Sequence, residues 1–192
     1  MTESDVTLVE QAAVFAIHVH QGMRRKAGGP YILHPMETAV IIGTLTDDPR
    51  VIAAGFLHDA VEDTSCTVED IRNAFGDRVA QLVAYETENK RRERPASETW
   101  KIRKTEALER LRNCVDRDVK IIAMGDKLSN LRSLCHMKQE EGDSMWLKFH
   151  MSDPKEQEWY YRSCGEVLSD LKDTDAWQEY HNRLDDLFGL QQ

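Results

Sequence analysis

Apolar residues recur at three- and four-residue intervals along most of the chain, a period that belongs to amphipathic helices rather than strands. Leu8, Val9, Ala12, Ala13, Ala16 and Val19 define the first helix, with Asp5 as its expected N-cap and Lys26-Ala27-Gly28-Gly29-Pro30 as the loop that ends it. Asp48 precedes Pro49, Asp153 precedes Pro154 and His34 precedes Pro35. Proline is pre-organised for the first helical turn, and a preceding Asp caps the free N–H groups. Helices are therefore expected to start near 35, 49 and 154. Thr67-Val68-Glu69-Asp70 has the form of a capping box opening a short helix that stops near Phe75-Gly76. Further helices are expected over about 77–90, 97–113 and 117–137, with one or two more between 154 and 188. The run Val119 to Met124 would pass for a strand in isolation. It continues into Leu128, Leu131 and Leu134 at helical spacing, so it is read as part of one long buried helix. Only Arg91 to Ser97, which holds Pro95, is linker-like. The pattern predicts an all-α fold.

Length and composition narrow this to a globular domain with its own core. The chain has 192 residues, 41% hydrophobic and 31% charged, which fits one domain over 1–192 that needs no disulfide or structural zinc. Cys66, Cys114, Cys135 and Cys164 form no CxxC pair and are expected to be reduced thiols. The first residues, MTESDVTLVEQ, lack a basic stretch followed by an apolar one, and no apolar run reaches the roughly 18 residues of a membrane helix. A cytoplasmic location without membrane association is expected. The formal charge of −9 argues against a nucleic-acid surface, where basic residues supply most of the affinity. The charge is unevenly spread. Residues 84–112 and the cluster Arg24-Arg25-Lys26 carry the basic excess, and residues 138–192 carry most of the surplus acid.

The segment Ala53 to Thr64 is the most informative for chemistry. An apolar helix ends there in His58, Asp59, Glu62 and Asp63. Such groups are costly at a buried helix end unless paired, solvated in a cleft or bound to a cation. His58 and Glu62, four apart, are expected to share one helix face, and Asp59 and Asp63 the next. His34 before Pro35, and Asp126 inside the apolar stretch 119–134, sit in comparable settings. Two imidazoles and two carboxylates form a mixed nitrogen and oxygen donor set suited to Mn²⁺, Fe²⁺ or Mg²⁺.

These motifs, in this order, resemble the HD-domain metal-dependent phosphohydrolases, an all-helical superfamily named for its His-Asp pair. The segment from Arg25 to Pro35, with Tyr31 and His34, resembles the part of that family that holds its first metal histidine. His58-Asp59-Ala60-Val61-Glu62-Asp63-Thr64 is similar to the His-Asp helix of the RelA/SpoT-type alarmone (guanosine penta/tetraphosphate) hydrolases. Phe75 to Val83 follows as in that branch, and Gly125 to Arg132 resembles its last metal-ligand helix. The resemblance runs over about 10–135, with the helices of 154–188 beyond it. It implies a single compact HD-domain helical bundle of the small, standalone type. It implies His34, His58, Asp59 and Asp126 as ligands of a divalent metal, with Mn²⁺ preferred. Glu62 and Asp63 would activate the attacking water, and Arg25, Lys26 and Asn130 would contact the nucleotide. Three places depart from the branch. Ala84-Tyr85-Glu86-Thr87-Glu88-Asn89-Lys90 replaces its usual Gly-Val-Thr-Lys, Ser129 stands where His is common, and Gly29 stands where an acid is common.

A phosphoryl transition state calls for positive charge more than for covalent chemistry. Lys90, Arg91, Arg92 and Arg94 are available, and the 84–104 segment is expected to fold back over the metal cleft, with Lys90 and Arg91 touching substrate. Tyr85, Trp100, Trp159, Tyr160 and Tyr161 are read first as core and second as base-stacking surfaces. The expected activity is a guanosine-3′,5′-bis(diphosphate) 3′-diphosphatase type of reaction on a small nucleotide. Alternatives are an HD phosphohydrolase of another nucleotide (a dNTP, a nucleoside monophosphate or an NADPH-type dinucleotide) and a nucleotide-sensing module without turnover.

Overall fold

The computed structural model describes residues 1–190, and every regular element among them is helical. The first helix, α1 (Glu3–Val19), is capped one turn earlier than expected. Thr2 is the N-cap and Asp5 is its capping-box partner, each binding the other's backbone N–H. After α1 the chain makes a tight turn closed by Arg25 N–H to Gly29 O and Tyr31 N–H to Met23 O, with one isolated bridge between Arg24 and Pro30. Gly28 takes φ +95° there, a conformation that costs glycine little. This turn presents Arg25 and Lys26.

Next come α2 (Leu33–Gly43), α3 (Pro49–Leu57) and the one-turn α4 (Ala60–Asp63). α2 starts two residues before Pro35, so His34 lies inside its first turn. α3 starts as the sequence predicts, with the Asp48 carboxylate accepting the Arg50 N–H at 2.9 Å. It is the central strut, in contact with α1, α2, with α5 (Val68–Glu86) and with α7 (Arg117–Glu141). Two glycines let α2 press onto its neighbours. A Cβ on Gly55 would overlap Ile42, and one on Gly125 would lie 2.8 Å from Ile42 Cγ1 and 3.0 Å from Thr38 O. Close packing of this kind fixes the spacing of helix axes.

α5 is interrupted at Gly76, which has the non-helical φ +84°, so the two helices expected either side of Phe75-Gly76 are both present and meet there at a kink. A strap over 87–95 leads to α6 (Ala96–Arg112). The 119–124 run is helical and buried on nearly all sides, because α7 is packed by α2, α3 and α5 and by α9 (Asp175–Phe188). A 3₁₀ turn over Gly142–Lys148, anchored by buried Met145 and Trp146, joins α7 to α8 (Pro154–Val167). Nothing in the helical periodicity marks it. Trp100, Tyr160 and Tyr161 are buried, in line with the reading as core. No helix among the described residues is long and apolar enough to cross a membrane.

Candidate active site and metal centre

His34 projects from the first turn of α2, His58 from the end of α3 and Asp126 from the middle of α7, and all three are buried. Asp59 joins them because the backbone does not continue as a straight helix. α3 ends at Leu57, Asp59 has ψ −7°, and α4 begins at Ala60. Adjacent side chains that would diverge on one helix converge through this break. His58 and Glu62, expected to share a helix face, line one cavity across this break.

The four groups meet closely. His34 Nε2 lies 3.2 Å from His58 Nε2, 3.2 Å from Asp126 Oδ1 and 3.5 Å from Asp59 Oδ2. His58 Nε2 lies 3.2 Å from Asp59 Oδ2 and 3.8 Å from Asp126 Oδ1. Donor atoms about 2.1 Å from one cation sit about 3.0–3.4 Å apart at adjacent corners of an octahedron or tetrahedron. Three of the five edges fall in that range and the other two, 3.5 and 3.8 Å, are longer.

Each imidazole is turned by a partner on its far nitrogen. His58 Nδ1 is 2.8 Å from Gly55 O, so it must donate. His34 Nδ1 is 2.9 Å from Ser129 Oγ, and that hydroxyl donates its only proton to Glu37 Oε2 at 2.7 Å. Ser129 must then accept from His34 Nδ1–H. Both Nε2 lone pairs are left facing each other and two carboxylates, an arrangement that requires a cation. Burial opposes a charge on His58, yet Asp59, by charge and hydrogen bond, and Asp126 override it and push the imidazolium up to about 10. In the metal-free chain a proton takes the place a metal ion would fill. The His34–His58–Asp126 cluster could hold a divalent metal.

A cavity of about 310 Å³ opens over this cluster. Tyr31 hydroxyl bridges Asp59 Oδ2 at 2.5 Å and Asp63 Oδ2 at 2.7 Å. Glu62 Oε2 accepts the Glu88 N–H at 3.0 Å, and Lys90 pairs with Asp63 and, at 3.5 Å, with Glu62. Burial raises the Glu62 carboxyl, with the Glu88 N–H opposing. Asn130 donates to Asp126 Oδ1 at 2.5 Å and accepts from Arg25 at 2.8 Å, tying the basic turn to α7. Lys26 stands 4.3 Å over the Phe149 ring and is held below the usual lysine range by burial and by Arg25 and Lys104. A second cavity of about 300 Å³ adjoins the first and adds Leu134, Met137, Phe149 and Tyr161 to its wall.

Residues 12–147 match the family described as HD domain, well over half of the chain. The chain belongs to the HD domain family. Among curated relatives, a "GTP pyrophosphokinase" of Myxococcus xanthus is 35% identical over 141 residues, 72% of this chain and 19% of that protein. A "Probable guanosine-3′,5′-bis(diphosphate) 3′-pyrophosphohydrolase" of Synechocystis is 37% identical over 136 residues, 70% of this chain and 18% of that protein. The chain spans less than a fifth of the length of either relative. Among solved structures, lmo0812 from Listeria monocytogenes EGD-e is 34% identical with a TM-score of 0.70, covering 85% of this chain and 98% of that one. A metazoan ortholog of SpoT, described as hydrolyzing ppGpp, superposes with a TM-score of 0.72 over 95% and 97% of the two chains at 24% identity, a likeness of fold.

In this HD domain the structure brings together His34, His58, Asp59, Asp126, Glu62, Asp63, Arg25, Lys26 and Asn130 around one cavity, with Lys90 at its edge. The 84–104 segment does fold over the cleft. Arg91 does not reach it: it takes φ +48° and pairs with Glu106 on α6. Sequence reasoning did not assign Tyr31, Glu86, Glu88, Lys104 or Lys127 to the cavity wall, nor Glu37 to the histidine relay. The Asp-Lys pairing of Asp126 and Lys127 was visible as a dipeptide, but its orientation into the cavity was not.

Proposed function

We propose that this chain is a metal-dependent phosphohydrolase that removes the 3′-pyrophosphate from a guanosine tetra- or pentaphosphate alarmone. The observation that carries the reading is the convergence of two tautomer-fixed Nε2 atoms and two carboxylates at one end of a cavity with Arg25, Lys26, Lys104 and Lys127 in its wall. The activity named for the Synechocystis relative supports the same substrate.

His34, His58, Asp59 and Asp126 would hold the cation, Mn²⁺ in first place and Fe²⁺ or Mg²⁺ as alternatives, because imidazole plus carboxylate suits these ions. A divalent cation bound there supplies a Lewis acid that acidifies water and polarises a phosphoryl oxygen. Glu62 and Asp63 receive the proton of the attacking water. They share Tyr31 and Lys90 with their neighbours, so they act as a coupled pair rather than as one assigned base. Water oxygen bonds to the phosphorus attached at the 3′ position, the bond from that phosphorus to the ribose 3′-oxygen breaks, and pyrophosphate results together with a nucleoside 5′-diphosphate from the tetraphosphate or a 5′-triphosphate from the pentaphosphate. Lys26, Lys104 and Lys127 neutralise the phosphates, and Arg25 is fixed by Asn130 to do the same. The cavity wall formed by Leu134, Met137, Phe149 and Tyr161 is apolar enough to take the base.

Two carboxylates in the same wall, Glu86 and Glu88, favour a second substrate reading, a nucleotide with fewer phosphates. A panel of nucleotides with added Mn²⁺, including the alarmones, tests both. Release of pyrophosphate from the alarmone at a rate far above all other substrates is the expected result. Faster release from a dNTP, a monophosphate or a dinucleotide overturns the alarmone assignment, and no hydrolysis with metal bound supports a sensing module instead.

A further inference from the structure

Five of the six carboxylates in the cavity wall are engaged. Asp59 and Asp63 hold Tyr31, Glu62 holds the Glu88 N–H, Asp126 holds Lys127 and Asn130, and Glu88 holds Arg103 at 2.9 Å and Lys104 at 2.8 Å. The sixth, Glu86, is the last residue of α5. Its carboxyl makes no hydrogen bond or ion pair among the described residues. Glu86 lies in the 84–90 segment where the chain departs from the branch it resembles. It also lines a third, smaller cavity of about 30 Å³, which shares Glu86, Glu88 and Lys127 with the first and is walled by Tyr85, Arg110, Tyr160 and Cys164. That volume has room for about two waters. Glu86 is thus an unengaged carboxyl in the wall of both the reaction cavity and a water-sized space.

The proposed reaction leaves one proton unassigned. Its leaving group is an alkoxide, which departs poorly unless protonated. Glu62 and Asp63 accept a proton from water, and a group that accepts one cannot donate one in the same step. Resting on that reading, we propose that Glu86 is the catalytic acid that protonates the leaving ribose 3′-oxygen. As the water oxygen bonds to phosphorus and the bond to the 3′-oxygen breaks, the Glu86 proton passes to that oxygen while the water's proton passes to the Glu62–Asp63 pair. Solvent then returns both carboxyls to their starting states, with Glu86 recharged through the smaller cavity. Burial suits Glu86 to the task by pushing its carboxyl up to about 7, with Lys127 opposing and Asp126 adding to the shift.

The test is Glu86→Gln assayed on the alarmone and on its analogue with sulfur in place of the bridging 3′-oxygen, since a thiolate leaves without being protonated. Melting temperature and Mn²⁺ stoichiometry of the variant are measured alongside. The expected result is a fall in kcat of about 10²-fold on the alarmone, with at least tenfold less loss on the sulfur analogue and unchanged metal stoichiometry. Equal losses on both substrates, or no loss on the alarmone, overturn the assignment of Glu86. The wild-type rate on the alarmone tests the underlying activity separately. A wild-type chain that leaves the alarmone intact removes that reading, and this inference with it, whatever the variant does.

Discussion

The metal cluster and the strap over 87–95 face each other across one cavity and are built in opposite ways. His34, His58 and Asp126 stand on three helices that press together at Gly55 and Gly125, and each histidine is oriented by a buried partner. The strap has no regular structure. It is held by the Glu88 N–H on Glu62, by Lys90 on Asp63, and by Arg103 and Lys104 on Glu88. A site on packed helices holds its geometry, while an irregular segment pinned by partly buried ion pairs along the cavity wall can exchange partners when a phosphate arrives. The comparison teaches that damage to the cluster should remove the reaction, whereas damage to the strap should change which substrate is read and how tightly.

The largest effect should come from the cluster itself. His58→Ala or Asp126→Ala is expected to lower kcat/KM by more than about 10³-fold, the equivalent of several kcal/mol of lost transition-state stabilisation, with Mn²⁺ binding lost by calorimetry. Retention of full metal affinity in either variant would break the comparison at its strongest point. Glu62→Gln and Asp63→Asn come next. Each should lower kcat by about 10²-fold or more while metal stoichiometry survives, since neither faces the two Nε2 atoms.

Ser129→Ala probes how rigidly the cluster is supported. It leaves Glu37 without the hydroxyl and His34 Nδ1–H without its acceptor. Loss of such a partner costs about 10–100-fold in metal affinity, and a titration of Mn²⁺ reads it directly. An affinity within twofold of the wild type would show that packing alone orients His34. The convergence of His34, His58, Asp59 and Asp126 was legible in the sequence because His and Asp inside apolar helices are costly and therefore conspicuous. The Glu37–Ser129–His34 relay was not, since it joins residues more than ninety positions apart and each is ordinary where it stands. Tyr31 was hidden because its partners Asp59 and Asp63 lie 28 and 32 positions away, and the helix break at Asp59 was hidden because His58 to Asp63 reads as continuous helix. Helix positions followed from periodicity and Asp-Pro caps, while the 3₁₀ turn at 142–148 has no periodic signature.

Acidity offers a further contrast between the two regions. His58 keeps a proton up to about 10 in the metal-free chain, and that proton must leave before a metal is bound. Metal affinity should therefore rise by about tenfold per pH unit from 7 towards 9. Calorimetry in buffers of different ionisation enthalpy should find about one proton released per metal. The same proton stabilises the metal-free fold fully below the ordinary imidazole value of 6.5, and this contribution is lost as pH rises towards 10. Lys90, whose charge is opposed by burial but held up by Asp63 and Glu62, stays protonated throughout, so the strap should show no such dependence. A pH-independent metal affinity would mean that the cluster is not held together by a proton.

The smallest effect should come from Lys90→Ala. Its ammonium is about a third exposed and pairs with carboxylates about a fifth exposed, so its contribution to stability is about 0–1 kcal/mol. The melting temperature should then move by no more than about 2–4 °C. Binding is another matter. A polyphosphate brings charge that Lys90 can follow from Asp63 into the cavity, and one charge-assisted hydrogen bond is worth about 1.5–3 kcal/mol at most. Because Lys90 must give up Asp63 to make it, the net gain is smaller, and KM should rise by about three- to tenfold. Turnover should change less, because Lys90 meets the Glu62–Asp63 pair only through a part-exposed ion pair and does not touch the His34–His58–Asp59–Asp126 cluster. A loss confined to kcat, with KM unmoved, would place Lys90 with the reacting groups and erase the division between rigid centre and exchangeable strap.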